Sequence, residues 1–162
     1  MNSKTVTLHP EFPEKVWVVI EQPRNEPYRF SYNPLTGTFA RTTYKSLIYD
    51  RGFSGAYGWI GGQGTPPEPH YDVILFTQQN PQPGDILLSY LCGMFYRGDG
   101  DHKFVAIDSQ LIVTVTRPDL ATLDQTSYDE LMALYPHVGE KEGWRGVDEA
   151  IAYLKTHKPS HD

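Results

Sequence analysis

Two short stretches concentrate the residue types that can do chemistry. The first reads Thr65-Pro-Pro-Glu68-Pro-His70-Tyr-Asp72, and the second Asp99-Gly-Asp101-His-Lys103. Carboxylate oxygens suit hard divalent cations such as Mg2+. His70 offers an imidazole nitrogen, which favours a softer metal. Plainer readings stand beside these. A lone histidine in a loop is commonly a surface or packing residue, and Gly98 to Asp101 has the composition of an ordinary turn between strands.

The elements that must position these groups are mostly short strands. Val16–Ile20 is β-branched and aromatic and is bounded by Pro13 and Pro23. Tyr28–Tyr32 alternates ring and polar residue as a half-buried strand does. Asn33-Pro-Leu-Thr-Gly37 is a hairpin turn, and Thr38–Arg41 the returning strand. Residues 52–64 are rich in glycine, and prolines follow at 66, 67 and 69, which predicts a surface loop around a short strand, Tyr57–Ile60. Further strands are expected at Tyr71–Thr77, Ile86–Tyr96 (bending at Gly93), Lys103–Ile107 and Leu111–Thr116. Two helices come last. One is capped by Ser127, carries Tyr128, Leu131, Met132 and Tyr135 on one face, and ends at Pro136. The other turns Val147, Ile151 and Leu154 inward, with Asp148 and Glu149 at its positive end. This pattern predicts an α+β, mainly β chain: a small barrel with α elements packed outside.

The bulk properties fit one domain over residues 1–162. A hydrophobic content of 39% against 21% charged excludes a disordered tail. No apolar run approaches the roughly 20 residues that span a bilayer. The net charge of −6 removes long-range attraction to nucleic acid or an anionic membrane, while leaving room for a local basic pocket. A lone Cys92 and a polar beginning, Met1 to Pro10, point to the cytoplasm.

Several pieces, in order over about residues 14 to 155, carry a resemblance. They are Val-Val-Ile-Glu21-Gln-Pro, Pro27-Tyr-Arg29-Phe-Ser31-Tyr, Thr36-Gly37, Tyr57-Gly-Trp-Ile, Asp72-Val-Ile-Leu, Gln82-Pro-Gly, Asp101-His-Lys103-Phe-Val-Ala and Glu142-Gly-Trp144. Together they resemble the family I soluble inorganic pyrophosphatases. The resemblance implies a small closed five-stranded OB-like β-barrel with flanking hairpins and two C-terminal helices. It implies Mg2+ as cofactor, pyrophosphate or another small phosphoanhydride as ligand, and a homo-oligomer.

The resemblance assigns roles residue by residue. Asp72 matches the acid that holds the nucleophilic water, so it is the expected catalytic residue. Asp72, Asp101, Asp99, Glu68 and Glu21 are the expected metal ligands. Arg29, Arg41, Lys45, Tyr57, Lys103 and Tyr135 are the expected phosphate binders, with Arg41 and Lys45 competing for one place. Departures from the family pattern are concentrated among the acids. The family's Asp-X-Asp-Pro-X-Asp is represented only by Asp72 and an offset Glu68-Pro69, and nothing acidic fills its first place. Ser31 stands for a Glu, Phe53 for a Tyr, and Pro136 for a Lys. The expected activity is metal-dependent cleavage of pyrophosphate to two phosphates. The alternatives are a catalytically degenerate relative that binds a phosphate ligand or a partner, or a hydrolase of a different diphosphate. An oligonucleotide-binding barrel is disfavoured by the acidic balance.

Overall fold

The computed structural model describes residues 1–112 and 117–160. Its elements, in order, are β1 (Lys15–Gln22), β2 (Tyr28–Asn33), β3 (Thr38–Lys45), α1 (Leu47–Asp50), β4 (Ala56–Ile60), β5 (Asp72–Phe76), β6 (Ile86–Tyr96), β7 (Lys103–Asp108), α2 (Gln125–Met132), β8 (Gly143–Gly146) and α3 (Val147–Thr156). Hydrogen bonding runs β1-β4-β5-β7-β6, and β6 returns to β1. That return closes a five-stranded barrel, parallel only between β5 and β7. Closure removes the open edges that a sheet of such apolar strands would otherwise expose. β2 and β3 form the flanking hairpin, and β8 adds to the far side of β6.

The strands read as continuous apolar runs because both of their faces are covered. One alternate set, including Val18, Ile20, Val73, Leu75, Phe104 and Ala106, shares a core with Val147, Ala150, Ile151 and Leu154 of α3. The opposite set, including Ile74, Phe76, Cys92 and Val105, packs on Leu131 and Leu134 at the α2 end. The hairpin is pinned by its rings: Tyr32 and Phe39 lie 5.2 and 6.0 Å from the buried Trp59. Such aromatic contacts each add about 0.5–1.5 kcal/mol beyond the area they bury.

Close approach decides the glycine at two places. A Cβ on Gly58 would lie 1.8 Å from the Val19 carbonyl oxygen, so β4 can approach β1 only without a side chain there. A Cβ on Gly93 would meet Leu120 Cγ at 2.6 Å and the Arg145 carbonyl at 2.7 Å. The expected bend in β6 is present as a register shift between Leu91 and Gly93.

Several expectations are corrected by the fold. β3 runs on to Lys45 rather than stopping at Arg41. The cap of α2 is Asp124, whose Oδ1 accepts from the Ser127 amide at 2.8 Å; Ser127 lies inside the helix. That helix ends at Met132, before Pro136, and Tyr128 faces solvent, 42% exposed. Leu111 ends a 3-10 turn, Ser109–Leu111, rather than opening a strand; residues 113–116 of the expected strand lie outside the described residues. α3 forms as expected, but its Gly146 cap offers no side chain. Asp119 substitutes from a distant turn, its Oδ1 accepting from the amides of Leu120 at 2.7 Å and Val147 at 3.1 Å.

Candidate active site

The site grows out of one register pair. In the parallel β5–β7 ladder Asp72 lies directly opposite Lys103. Side chains at such paired positions leave the sheet on the same face. Lys103 Nζ accordingly donates to Asp72 Oδ2 at 2.6 Å and to Asp101 Oδ2 at 3.1 Å. The Lys103 side chain is 8% exposed, so this is an interior ion pair rather than a rim contact. The other Asp72 oxygen, Oδ1, faces His70 Nε2 at 3.2 Å. The His70 ring is oriented in turn by the Glu68 carbonyl, 2.7 Å from Nδ1.

Burial works to raise the Asp72 carboxyl, but the His70 hydrogen bond and the Lys103 ammonium outweigh it and hold it below the usual carboxylate range. Burial likewise works against a charged Lys103; the Asp72 and Asp101 carboxylates overcome it and raise its pKa. His70 follows the same logic: burial is outweighed by Asp72 and the Glu68 carbonyl, so its pKa rises. A buried anion here is therefore compensated by the protein's own cations.

Two β-bulges aim the neighbouring residues. Glu21 is the extra residue of β1 at the register shift between Ile20 and Gln22, while in the hairpin β3 carries the extra residues, with Thr42 to Tyr44 opposite Arg29. A bulge turns an extra side chain out of the ladder, a common device beside functional sites. The Gln22 amide holds β1 and β2 together, donating to the Phe30 carbonyl at 3.2 Å and accepting from the Phe30 amide at 2.8 Å.

These residues meet in a cavity of about 410 Å3. Its wall carries the cations Arg29, Lys45, Arg97 and Lys103, the hydroxyls of Tyr57 and Tyr135, and the acids Glu21 and Asp50. The cavity lies within the usual range for small-molecule sites, about 300–1,000 Å3. Burial raises the Glu21 carboxyl, and the charge of Asp72 raises it further. Burial also lifts the Tyr57 hydroxyl well above its ordinary value, so it stays a hydrogen-bond donor. Tyr135 is stacked on Phe95 at 4.5 Å and 9°, with the guanidinium carbons of Arg51 and Arg97 each 5.9 Å from its centroid.

The sequence-expected residues divide clearly. Glu21, Arg29, Lys45, Tyr57, Lys103 and Tyr135 line the cavity, and Asp72 and Asp101 join it through Lys103. Between the two competing cations, Lys45 faces the cavity, while Arg41 pairs with Glu26 at 2.6 Å and lies 5.1 Å from the Tyr28 ring centroid. Asp99 is turned to Arg97 at 3.2 Å, and Glu68 contributes its carbonyl to His70. Arg97 is a cavity cation that sequence reasoning missed, because its stretch read as a tight turn. The glycine-flanked acids beside it were the only hint.

The magnesium cluster implied by the resemblance does not fit this arrangement. Both Asp72 oxygens and the inner Asp101 oxygen are already engaged by Lys103 or His70. Among the described residues no group of three His, Cys, Asp or Glu side chains converges as a metal site would require. Mg2+ demands near-ideal octahedral oxygen geometry, and an ammonium 2.6 Å from the central carboxylate fills that place.

No family model matches the chain, and no curated protein matches it by sequence. Solved structures do match. An inorganic pyrophosphatase from Neisseria gonorrhoeae is similar at TM-score 0.72 and 21% identity, over 95% of each chain. An inorganic pyrophosphatase from Ehrlichia chaffeensis is similar at TM-score 0.70 and 17% identity, over 94% of this chain and 98% of that one. The inorganic pyrophosphatase from Thermus thermophilus gives 0.66 and 19%, over 94% of each. Among the described residues no helix is long and apolar enough to cross a membrane. The likeness read from the sequence thus holds at the level of fold: the chain has the fold of the family I soluble inorganic pyrophosphatases, carried at low identity and with a divergent site.

Proposed function

We propose that this protein takes pyrophosphate, or a small phosphoanhydride like it, into the cavity and holds it by protein cations rather than by a preformed metal cluster. The observation that carries this reading is the pairing of Asp72 with Lys103 and His70 on the border of a cavity lined by four cationic side chains. Arg29 and Arg97 suit two phosphoryl oxygens at once through their forked donors. Lys45 and Lys103 supply point charges, and Tyr57 and Tyr135 supply neutral donors. Hydrogen bonds to charged groups are each worth about 1.5–3 kcal/mol, so a few of them suffice for binding in the micromolar range. The fold likeness to proteins described as inorganic pyrophosphatases supports pyrophosphate as the first ligand to test. Equilibrium dialysis with labelled pyrophosphate tests it: saturable binding that Arg29→Ala weakens tenfold or more is expected. Absence of saturable binding in the intact protein would reject it.

A second reading is metal-dependent hydrolysis of pyrophosphate to two phosphates. The survival of Asp72 and Asp101 on one Lys, with Glu21 close enough to feel the charge of Asp72, favours it. It requires Asp72 to leave both of its present partners. Phosphate release with Mg2+ or Mn2+, compared with an Asp72→Asn control, separates the readings. Turnover above that control establishes a hydrolase; binding without turnover establishes a ligand-binding relative.

A further inference from the structure

A second cavity of about 400 Å3 adjoins the first, and Glu21 and Arg29 line both. Its other walls differ in kind. The β2–β3 hairpin contributes Phe30, Tyr32 and Tyr44, and the loop before β5 contributes Pro66 and Pro67. Where the first cavity is cationic, this one offers rings and prolines with two aliphatic hydroxyls, Ser31 and Thr42, beside the phenolic hydroxyls of Tyr32 and Tyr44. Pyrophosphate has no group that would use such surfaces.

Tyr44 is 73% exposed, a large ring presented to solvent at the groove. Its backbone is nonetheless fixed to the first cavity. The Tyr44 amide donates to Thr42 Oγ1 at 3.1 Å, and that hydroxyl donates to the Arg29 carbonyl at 2.8 Å. The backbone of the phosphate-facing arginine and the backbone that carries the exposed ring are therefore tied together through Thr42, within the bulge of β3 opposite Arg29. Rigid rings and prolines lose little entropy on contact and favour flat partners.

We infer that the ligand is a nucleoside diphosphate: its phosphoanhydride in the cationic cavity, its base against Tyr44 and the Pro66-Pro67 wall. This inference rests on the phosphoanhydride-binding reading of the first cavity. Arg29 is the hinge between the two parts, where the ester phosphate joins the sugar. The sugar hydroxyls meet polar groups there, with Ser31, Thr42 and the Glu21 carboxyl all on the groove wall. An aliphatic diphosphate would bury those polar groups against a tail that cannot hydrogen-bond them.

The test is displacement of labelled pyrophosphate from the full chain, in EDTA, by ADP, UDP, geranyl diphosphate and unlabelled pyrophosphate. ADP or UDP should displace at concentrations at least about tenfold below that of pyrophosphate, within what one base–aromatic stack contributes. Tyr44→Ala should bring the ratio of nucleotide to pyrophosphate affinity to about one, and Tyr44→Phe should keep it near the wild-type value. The inference is overturned if pyrophosphate competes as well as either nucleotide, if Tyr44→Ala leaves the ratio unchanged, or if geranyl diphosphate competes better than both nucleotides. Should labelled pyrophosphate itself not bind, the reading of the first cavity falls too. Binding of pyrophosphate without nucleotide preference removes the present inference alone.

Discussion

Replacing Lys103 by Met removes the ammonium from Asp72 while keeping the aliphatic stem. Lys103 is 8% exposed and Asp72 18%, and they stand 2.6 Å apart. Breaking one side of a buried pair costs about 3–5 kcal/mol, because a charge is left uncompensated. Here His70 remains on Asp72, and Asp101, 39% exposed, can be rehydrated. The lower end, about 3 kcal/mol at pH 7, is therefore expected. For a chain of this size that corresponds to a fall in Tm of roughly 6–12 °C. The pH dependence carries a definite sign. The folded-state Asp72 carboxyl is held below its ordinary value, so its contribution is complete at neutral pH. That contribution is lost as pH falls through the depressed folded value. In the variant, burial is opposed only by His70, so Asp72 takes up its proton at higher pH. The gap between wild type and variant should therefore narrow between pH 7 and pH 4. Urea denaturation at both pH values measures it. The double variant Asp72→Asn/Lys103→Met should recover about 1.5 kcal/mol relative to additivity. A Lys103→Met protein within about 0.5 kcal/mol of wild type at pH 7, or strict additivity in the cycle, refutes the interior ion pair.

Three further outcomes follow from particular contacts. Arg29→Ala should weaken pyrophosphate binding tenfold or more by equilibrium dialysis, whereas Arg41→Ala, whose guanidinium is committed to Glu26, should leave it within twofold. Asp119→Ala removes the acceptor of two amides and the cap of α3, so a loss of about 1–2 kcal/mol by urea denaturation is expected. Gly58→Ala sets a methyl 1.8 Å from the Val19 carbonyl oxygen; it should cost about 3 kcal/mol or more, or yield insoluble protein on expression.

Most of the barrel was legible in the chain because its strands are short, β-branched and punctuated by Pro and Gly. Val16–Ile20, Tyr57–Ile60 and Lys103–Ile107 each fall within an observed strand. A small barrel was legible from the strand pattern; its five-stranded OB-like form came from the ordered resemblance. α1 and β8, at four residues each, are too short to show a period, so composition gave no sign of them. The α2 cap was misplaced because Asp124 and Ser127 are both good capping residues three positions apart, and the Ser127 hydroxyl in fact bonds to Asp124 at 3.2 Å. At the site, residue identities were readable but pairings were not. The choice of Lys45 over Arg41 depends on the two extra residues that β3 carries between them, opposite Arg29, and composition does not say which of the two cations the shifted register turns to the cavity. Asp72 was expected to serve a metal, and its pairing with Lys103, 31 residues away, was not readable because only the parallel ladder sets them side by side.

The measurement that bears most directly on the site is calorimetric titration of pyrophosphate into chelator-treated protein, repeated with saturating Mg2+. Protein cations already surround the cavity, so one-site binding in EDTA is predicted, with affinity in Mg2+ altered by no more than a fewfold. No detectable binding until Mg2+ is supplied would contradict the account: Asp72 would then be serving metal rather than Lys103 and His70.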